Sequence, residues 1–293
     1  MNHAVIVSAH KDFDQLVLLI NTMTYADFYI HIDKKSQFLY EELKWWIKES
    51  NIVNVFLVEE RLDVKWSALS QVKSTLQLMR LVIQSEKKYD YVHFISGQDF
   101  PIKSQSAIEN VINSFKTSTN KYPNFIDCKE IKEYKWRLKI FSFFRESRYN
   151  RTLLFRLIDS LIRRLQQNVL HIERQNLRGY KLYVGSSWWS LTLDCIKYIC
   201  TTLEKENIID DFKFTCCPDE HFFQIIVMNS KFHDSVIKNN LRYVNFSSGR
   251  SSPNYITCAD LDEIFKCKSI FARKFDKNID YEVLEKIIKE IND

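Results

Sequence analysis

Glycine and proline are scarce in this sequence. There are four of each among 293 residues, which is about 3% of the chain against about 12% in an average protein. Neither the GxGxxG fingerprint of dinucleotide-binding folds nor the GxxxxGK[ST] loop of P-loop NTPases can be written with these glycines. The sequence therefore argues against a Rossmann oxidoreductase and against a P-loop NTPase.

Long apolar runs and paired cysteine motifs are also missing. No stretch approaches the roughly 18 to 20 apolar residues of a membrane span, and residues 1–10 lack the basic start and apolar core of a secretory signal. The seven cysteines include no CxxC pair and are odd in number, which favours neither a zinc framework nor secreted disulfides. We therefore expect reduced, mostly buried thiols and a cytoplasmic protein, with peripheral contact at the inner face of the membrane.

The first hundred residues alternate between strand-like and helical patterns. Four short apolar runs, at 4–7, 28–32, 53–58 and 91–95, are separated by segments with apolar residues at helical spacing. In the first of these segments Asp12 is a predicted N-cap, with Gln15 as its capping partner. This order predicts an α/β fold with a mixed, mainly parallel sheet and helices on both faces. Ligands of such sheets bind beyond the carboxyl ends of the strands.

The middle of the chain is basic. Residues 129–181 contain 14 Lys or Arg against 5 Asp or Glu, whereas the rest of the chain is slightly acidic. Within this stretch, residues 141–167 mix Phe, Leu and Ile with arginine, a pattern typical of an amphipathic segment on an anionic membrane. A solvated basic face on a core helix explains the pattern equally well. Nucleic-acid binding is a further alternative, but the acidic remainder argues against nucleic acid as a partner.

Seven segments together resemble one known family, the core-2/I-branching β-1,6-N-acetylglucosaminyltransferases and peptide O-xylosyltransferases. They occur in the family's order and span nearly the whole chain. The segments are VSAHKDFDQLVLLINTM with FYIHIDKKS (7–36), VKWSALSQV (64–72), YVHFISGQDFPIKS (91–104), GSSWWSLT (185–192), CPDEHFFQ (217–224), LRYVNFSSGRSSPNYIT (241–257) and FARKFD (271–276).

The resemblance implies a GT-A-like fold in a single domain, with a nucleotide-binding half at 1–127 and an acceptor-binding and catalytic half at 128–293. It implies a UDP-sugar donor, with N-acetylglucosamine as the first candidate for the sugar and xylose or galactose left open. Many GT-A enzymes hold a divalent metal with an Asp-x-Asp triplet. Here the corresponding residues are Gly97, Gln98 and Asp99. Because one carboxylate is missing, a hard cation would have a poor set of ligands, and we expect no metal cofactor.

The resemblance also implies roles for particular residues. Glu220, in the sequence Pro-Asp-Glu, matches the catalytic base, although a proline before two acidic residues also marks an ordinary helix start. Lys274 matches a phosphate-binding lysine, and Arg250 and Arg273 compete for the role of a second cation. The predicted UDP-binding residues are Val7, Ser8, His10, Asp33, Asp99, Arg250, Arg273 and Lys274.

The predicted acceptor-binding residues are Trp188, Trp189 and Asp219. Indole rings stack on the apolar faces of sugars, but neighbouring residues of a strand point to opposite faces, so only one tryptophan is expected to meet the acceptor and the other to lie in the core. The sequence thus predicts an inverting, metal-independent glycosyltransferase acting on a glycan or lipid-linked oligosaccharide. The alternative is a nucleotide-sugar-binding protein without catalysis.

Overall fold

The computed structural model describes residues 1–116, 122–131, 135–247, 249 and 252–292. Arg250 lies outside the described residues. In chain order the helices and strands are β1 (His3–Ala9), α1 (Phe13–Thr22), β2 (Ala26–Ile32), α2 (Gln37–Glu49), β3 (Val55–Leu57), α3 (Leu69–Gln84), β4 (Tyr91–Ser96), β5 (Asp99–Pro101), α4 (Gln105–Asn113), β6 (Asn124–Ile126), β7 (Lys129–Glu130), α5 (Trp136–Lys139), α6 (Leu153–Asn168), β8 (Tyr183–Val184), β9 (Trp189–Thr192), α7 (Leu193–Lys205), α8 (Ile208–Asp211), α9 (Phe222–Met228), β10 (Val236–Ile237), β11 (Arg242–Val244), α10 (Leu261–Lys266), β12 (Phe271–Arg273) and α11 (Glu282–Asn292).

The described strands form a central seven-stranded sheet in the order β10-β6-β9-β4-β1-β2-β3. Strands β1 to β4 run parallel to one another, and β9 runs antiparallel to both of its neighbours. The prediction of an α/β fold with a mixed, mainly parallel sheet is confirmed. Strands β9 and β10 belong to the predicted second half of the chain and lie in the same sheet as β1 to β4. The division near residue 127 stays a prediction.

Helices cover both faces of this sheet, as predicted. Alternate residues of β1 point to opposite sides: Val5 packs in a core with α1, α2 and α11, whereas Ile6 packs in a second core with α3, α7 and α9. Both side chains are fully buried. Burying a side chain of this size stabilises a fold by roughly 1.5–3 kcal/mol, so the two cores explain why β1, β2 and β4 are apolar at most positions.

The start of α1 differs in one respect from the sequence prediction. Asp12 is the N-cap, and its Oδ1 accepts a hydrogen bond from the Gln15 N–H at 3.2 Å. The side chain of Gln15 does not return the bond. Instead its Nε2 donates to the carbonyl oxygens of Gly97 at 3.0 Å and Phe275 at 3.3 Å. The capping-partner prediction is wrong because the Gln15 Oε1, which would have to accept the Asp12 N–H, accepts the Lys277 N–H at 3.2 Å.

A small second sheet lies at the edge of the molecule where β1, β2 and β4 end. It has the strand order β11-β12-β5, and β12 runs antiparallel to β5 with Arg273 opposite Asp99. This pairing places residues from the carboxyl-terminal part of the chain next to the segment that follows β4.

Within the basic stretch, residues 132–134 lie outside the described residues. Its longest element is α6, of whose side chains only Gln166 is buried, while its leucines face solvent. The interpretation of this stretch as a core helix with a solvated basic face is therefore wrong. Among the described residues, no helix is both long enough and apolar enough to cross a membrane. All seven thiols are free and four of them are buried.

Candidate active site

The carboxyl ends of β1, β2 and β4 are joined by hydrogen bonds. The Asp33 N–H donates to the Ala9 carbonyl at 2.9 Å, and the Gly97 N–H donates to the Ser8 carbonyl at 3.1 Å. The hydroxyl of Ser36 donates to the His10 carbonyl at 2.6 Å. The structure therefore brings together three segments that were predicted separately, those containing Ser8 and His10, Asp33, and the residues after β4.

Asp33 is largely buried and is held by Lys35. Its Oδ1 accepts the Lys35 N–H at 3.0 Å, and the Lys35 ammonium lies 3.4 Å from Oδ2. The same ammonium is 3.2 Å from Asp63. A shallow cavity of about 380 Å³ begins at the residue after Asp33 and is lined by Lys34, Glu59, Glu60, Arg61, Leu62 and Gln77. Asp33, the predicted nucleoside contact, is thus adjacent in the chain to a residue that lines this shallow cavity.

Asp99 is 1% exposed and faces fixed partners. Its carboxylate accepts the Ser96 N–H, and the Arg273 Nε lies 3.4 Å from Oδ1. The guanidinium of Arg273 lies 4.2 Å from the centre of the Trp188 ring, a cation–π distance. The Asp99 carboxylate is therefore in contact with a backbone N–H and with Arg273. Arg273 also contacts Trp188 of the GSSWW segment.

Lys274 lies in a cluster of positive charge. Burial, followed by the charges of Arg273 and Lys11, lowers the pKa of Lys274. Lys11 pairs with Asp276 at 2.6 Å and Arg273 pairs with Asp99, but among the described residues no carboxylate forms an ion pair with Lys274. Two buried nitrogens of Arg273, Nε and Nη1, have no hydrogen-bond partner there. Such a cluster is complementary to an anion.

Two predicted contact residues lie inside the core, which corrects their assignment. Val7 is 0% exposed, and its backbone pairs with Ile30 of β2 on one side and Ile95 of β4 on the other. Trp189 is also 0% exposed and packs against Phe94, 5.4 Å between ring centres. Neither side chain can meet a ligand from solvent. Trp188 is partly exposed, so the two tryptophans divide as the strand alternation predicts.

A short 3₁₀ turn, Pro218–Glu220, carries the predicted catalytic carboxylate. Three backbone bonds hold the turn: Cys217 N–H to Ser67 carbonyl at 3.1 Å, Cys216 N–H to Arg137 carbonyl at 2.8 Å, and Gly185 N–H to Glu220 carbonyl at 2.9 Å. Gly185 is required there, because a Cβ at this position would lie 1.8 Å from the Asp127 carbonyl oxygen. The turn is thus fixed from three sides.

The carboxylate of Glu220 pairs with Arg137. The Arg137 Nη1 donates to Glu220 Oε2 at 2.5 Å, and the Glu220 side chain is 38% exposed. Its carboxylate is therefore oriented by a cation and reachable from solvent. No motif or spacing in the sequence distinguishes Arg137, which is one of 14 basic residues between 129 and 181.

Asp219, the other acid of the turn, is in a different environment. Its Oδ2 accepts a hydrogen bond from the Ser187 hydroxyl at 2.7 Å, and its Oδ1 is buried without a hydrogen-bond partner among the described residues. Burial raises the pKa of Asp219 to about 6. The neighbouring His221 is fully buried with Nδ1 2.9 Å from the Tyr183 carbonyl, and burial lowers its pKa to about 4. His221 is therefore a neutral structural residue.

A larger cavity, of about 550 Å³, is lined by residues of α1 and of the segment after β12. Its lining residues are Asp14, Gln15, Val17, Leu18, Asn21, Lys277, Asn278 and Tyr281. None of the predicted site residues that the structure describes is among them.

Comparison with known proteins identifies the family to which the sequence is similar. The family model described as Core-2/I-Branching enzyme matches residues 4–266. Similar proteins include a xylosyltransferase of Ciona intestinalis, 25% identical over 92% of this chain and 32% of that protein. They also include xylosyltransferase oxt of Drosophila melanogaster, 26% identical over 88% of this chain and 29% of that protein, and xylosyltransferase 2 of Rattus norvegicus, 25% identical over 88% of this chain and 30% of that protein.

The chain spans about a third of the length of these curated relatives. The family model, by contrast, covers six of the seven segments; the last segment, FARKFD (271–276), lies beyond its end at residue 266. The resemblance predicted from those segments is confirmed, and the chain belongs to the Core-2/I-branching enzyme family.

Proposed function

We propose that the chain is an inverting glycosyltransferase that moves a sugar from a UDP-sugar to a hydroxyl of a glycan or lipid-linked oligosaccharide. One observation carries the proposal. A continuous series of contacts runs from Arg273 to Trp188, whose neighbour Ser187 holds Asp219 beside Glu220. A cationic group suited to a diphosphate and a solvent-reachable carboxylate are thereby joined through one segment of the chain.

Glu220 is the proposed general base. The acceptor oxygen attacks the anomeric carbon on the face opposite UDP, its proton passes to the Glu220 carboxylate, and the bond between that carbon and the UDP oxygen breaks. The products are a β-linked glycoside and UDP, and protonated Glu220 then returns its proton to solvent. The ion pair with Arg137 orients the carboxylate for this transfer. Asp219 positions the turn through its bond to Ser187.

The leaving diphosphate requires positive charge. Arg273 and Lys274 are the proposed source, because an anion would supply Lys274 with an anionic partner and would accept from Nη1 of Arg273, which has no hydrogen-bond partner among the described residues. The Asp99 carboxylate already faces Arg273 and the Ser96 N–H, which supports fixed cations rather than a metal. Ser8, His10 and Asp33 are the proposed nucleoside contacts at the ends of β1 and β2, and Arg250 remains a proposed second phosphate ligand.

Two donors are to be tested first. The names of the similar proteins favour UDP-xylose, whereas the resemblance to the branching enzymes favours UDP-N-acetylglucosamine. The nucleotide contacts proposed above do not involve the sugar, so both donors fit the same diphosphate group.

The decisive experiment compares Glu220→Gln with the parent protein. UDP binding is measured by thermal shift, and turnover by release of UDP from each UDP-sugar, with EDTA and again with manganese. We expect Glu220→Gln to bind UDP like the parent and to lose at least about 100-fold in turnover. Glu290→Gln, an exposed position on α11, is the matched control.

Each other outcome contradicts part of the proposal. Full activity of Glu220→Gln would show that Glu220 is not the general base. A UDP-induced thermal shift that requires manganese would show that a metal ion, rather than the fixed cations of the protein, binds the diphosphate. UDP binding without any turnover in the parent would leave a nucleotide-sugar-binding protein, and no response to any UDP compound would refute the donor class.

A further inference from the structure

Helix α6 turns its leucines towards solvent. Leu157, Leu161 and Leu165 follow one another at one-turn spacing on one face and are 54%, 63% and 48% exposed. Leu153 and Leu154, at the start of the helix, are 72% and 62% exposed. A surface helix of a globular protein ordinarily directs its apolar stripe to the core. In α6 the stripe is on the outside, and we name these five leucines the leucine stripe.

The opposite face of α6 is fixed to the protein by polar and aromatic contacts. The amide of Gln166 both accepts the Phe141 N–H at 3.0 Å and donates to the Phe141 carbonyl at 2.9 Å. Asp159 pairs with Arg145 at 2.8 Å, and Phe155 meets Phe144 edge to face, 5.4 Å between ring centres. These contacts determine which way the helix faces, so the exposure of the leucine stripe follows from a specific attachment.

The solvent side of this region carries positive charge. Arg156 and Arg164 are exposed beside the leucine stripe. The two carboxylates of residues 141–167 have other partners than these arginines. Asp159 pairs with Arg145, and Glu146 accepts the Ser70 N–H at 2.9 Å. The outer face of α6 is therefore apolar with a cationic flank.

Exposed aromatic rings adjoin the start of the helix. Trp66 is 57% exposed, with the guanidinium of Arg151 5.7 Å from its ring, and Tyr149 is 42% exposed beside Arg148. Tryptophan and tyrosine are enriched where proteins meet the interface between lipid and water. Leucines, flanking arginines and interfacial aromatics are the combination found in helices that lie in a membrane surface.

We propose that the leucine stripe, with Trp66 and Tyr149, is a docking surface for a bilayer containing anionic lipid. A second copy of the chain would place like charges opposite one another across the stripe, whereas anionic headgroups neutralise Arg156 and Arg164. A nucleic acid would pair with the arginines but would leave the leucines in water.

The docking surface is linked to the candidate active site through few contacts. Arg145, which holds Asp159 of α6, also donates to the Ser67 hydroxyl at 3.1 Å. The Ser67 carbonyl accepts the N–H of Cys217, the residue before the Pro218–Glu220 turn. A bilayer seated on α6 is thus held at a defined position relative to Glu220, which suits a lipid-linked acceptor. That last consequence depends on the proposed function, whereas docking itself does not.

The test is flotation of the full chain with vesicles. Vesicles of phosphatidylcholine with about 30 mol% phosphatidylglycerol are compared with pure phosphatidylcholine, at about 0.05 M and about 0.5 M NaCl. We expect binding to the anionic vesicles at low salt, and a partition coefficient about 30-fold lower for R156Q/R164Q, because each charge contributes roughly fivefold. L157Q/L161Q is expected to lose at least as much. Phe38→Gln, at an 82% exposed position on α2, should bind like the parent.

The proposal is overturned if the parent ignores anionic vesicles, or if L157Q/L161Q floats as well as the parent. A dimer that dissociates in L157Q/L161Q, without vesicle binding, would assign the stripe to a second copy. Binding of an oligonucleotide that depends on the arginines but not on the leucines would assign it to nucleic acid. UDP-induced thermal shift of every variant reports on the donor site, so failure of docking is distinguished from failure of the proposed function.

Discussion

Asp219→Asn is expected to stabilise the folded protein at pH 8 and to change its stability little near pH 4. Burial raises the pKa of Asp219 from 3.8 to about 6. Between these values the folded protein retains a proton that the unfolded chain has lost, so the free energy of unfolding falls as the pH rises. Above pH 6 the folded protein carries the full free-energy cost of ionising this buried carboxylate. A difference of about two units between the folded and unfolded pKa corresponds to about 3 kcal/mol. Asparagine cannot ionise and avoids that penalty.

The net gain is smaller than this maximum. Ser187 donates to the Asp219 carboxylate at 2.7 Å, and a neutral amide oxygen accepts such a bond less strongly than a charged one. We therefore expect a gain of about 1–2 kcal/mol at pH 8, measured by urea unfolding from pH 4 to pH 8. Asp262→Asn, exposed on α10, is the matched control. An equal effect of Asp219→Asn at pH 4 and pH 8 would refute the reasoning, because only ionisation makes the effect depend on pH.

Three further substitutions test separate parts of the site. Lys274→Ala should weaken UDP binding about tenfold or more by calorimetry, whereas the exposed Lys268→Ala should not; equal losses would indicate a diffuse charge effect. Arg137→Gln should lower turnover at least tenfold with little change in UDP affinity, since it removes the partner of the base and no phosphate contact; a matching loss of affinity would place Arg137 in the donor site. Gly185→Ala should destabilise the protein by about 3 kcal/mol or more in urea unfolding, because the new Cβ meets a backbone oxygen at 1.8 Å; an unchanged midpoint would contradict the close packing of the Pro218–Glu220 turn.

The central sheet could be predicted from the sequence because its strands are buried on both faces. A strand such as Tyr91–Ser96 is apolar at most positions because it lies between two layers of helices. The short strands β5 and β12 carry no such signal. Each has three residues, and their pairing depends on a contact between Asp99 and Arg273 that no local pattern encodes.

The candidate site was predictable where a motif supplies the residue and not where a distant contact does. Glu220 stands in a segment that the family model covers, and the segment with Lys274 resembles a motif of the family. Arg137 reaches Glu220 across 83 positions of the chain, so its basic charge alone could not distinguish it from its neighbours. For Val7 the sequence predicted a ligand contact, because Val7 ends the apolar run that points to the site. In the structure Val7 is buried between the two strands that pair with β1.

The long-range bonds around Phe275 have a consequence for the order of folding. The carbonyl of Phe275 accepts hydrogen bonds from Gln15, 260 positions earlier, and from Gln98, 177 positions earlier. Contacts this distant in sequence form late, because the loop they close must first be ordered. A nascent chain that ends before residue 270 contains β1 to β4 but lacks the β12 partner of Asp99. During synthesis, the proposed nucleotide site should therefore be completed only after residue 276 has left the ribosome, well after the parallel strands can pair.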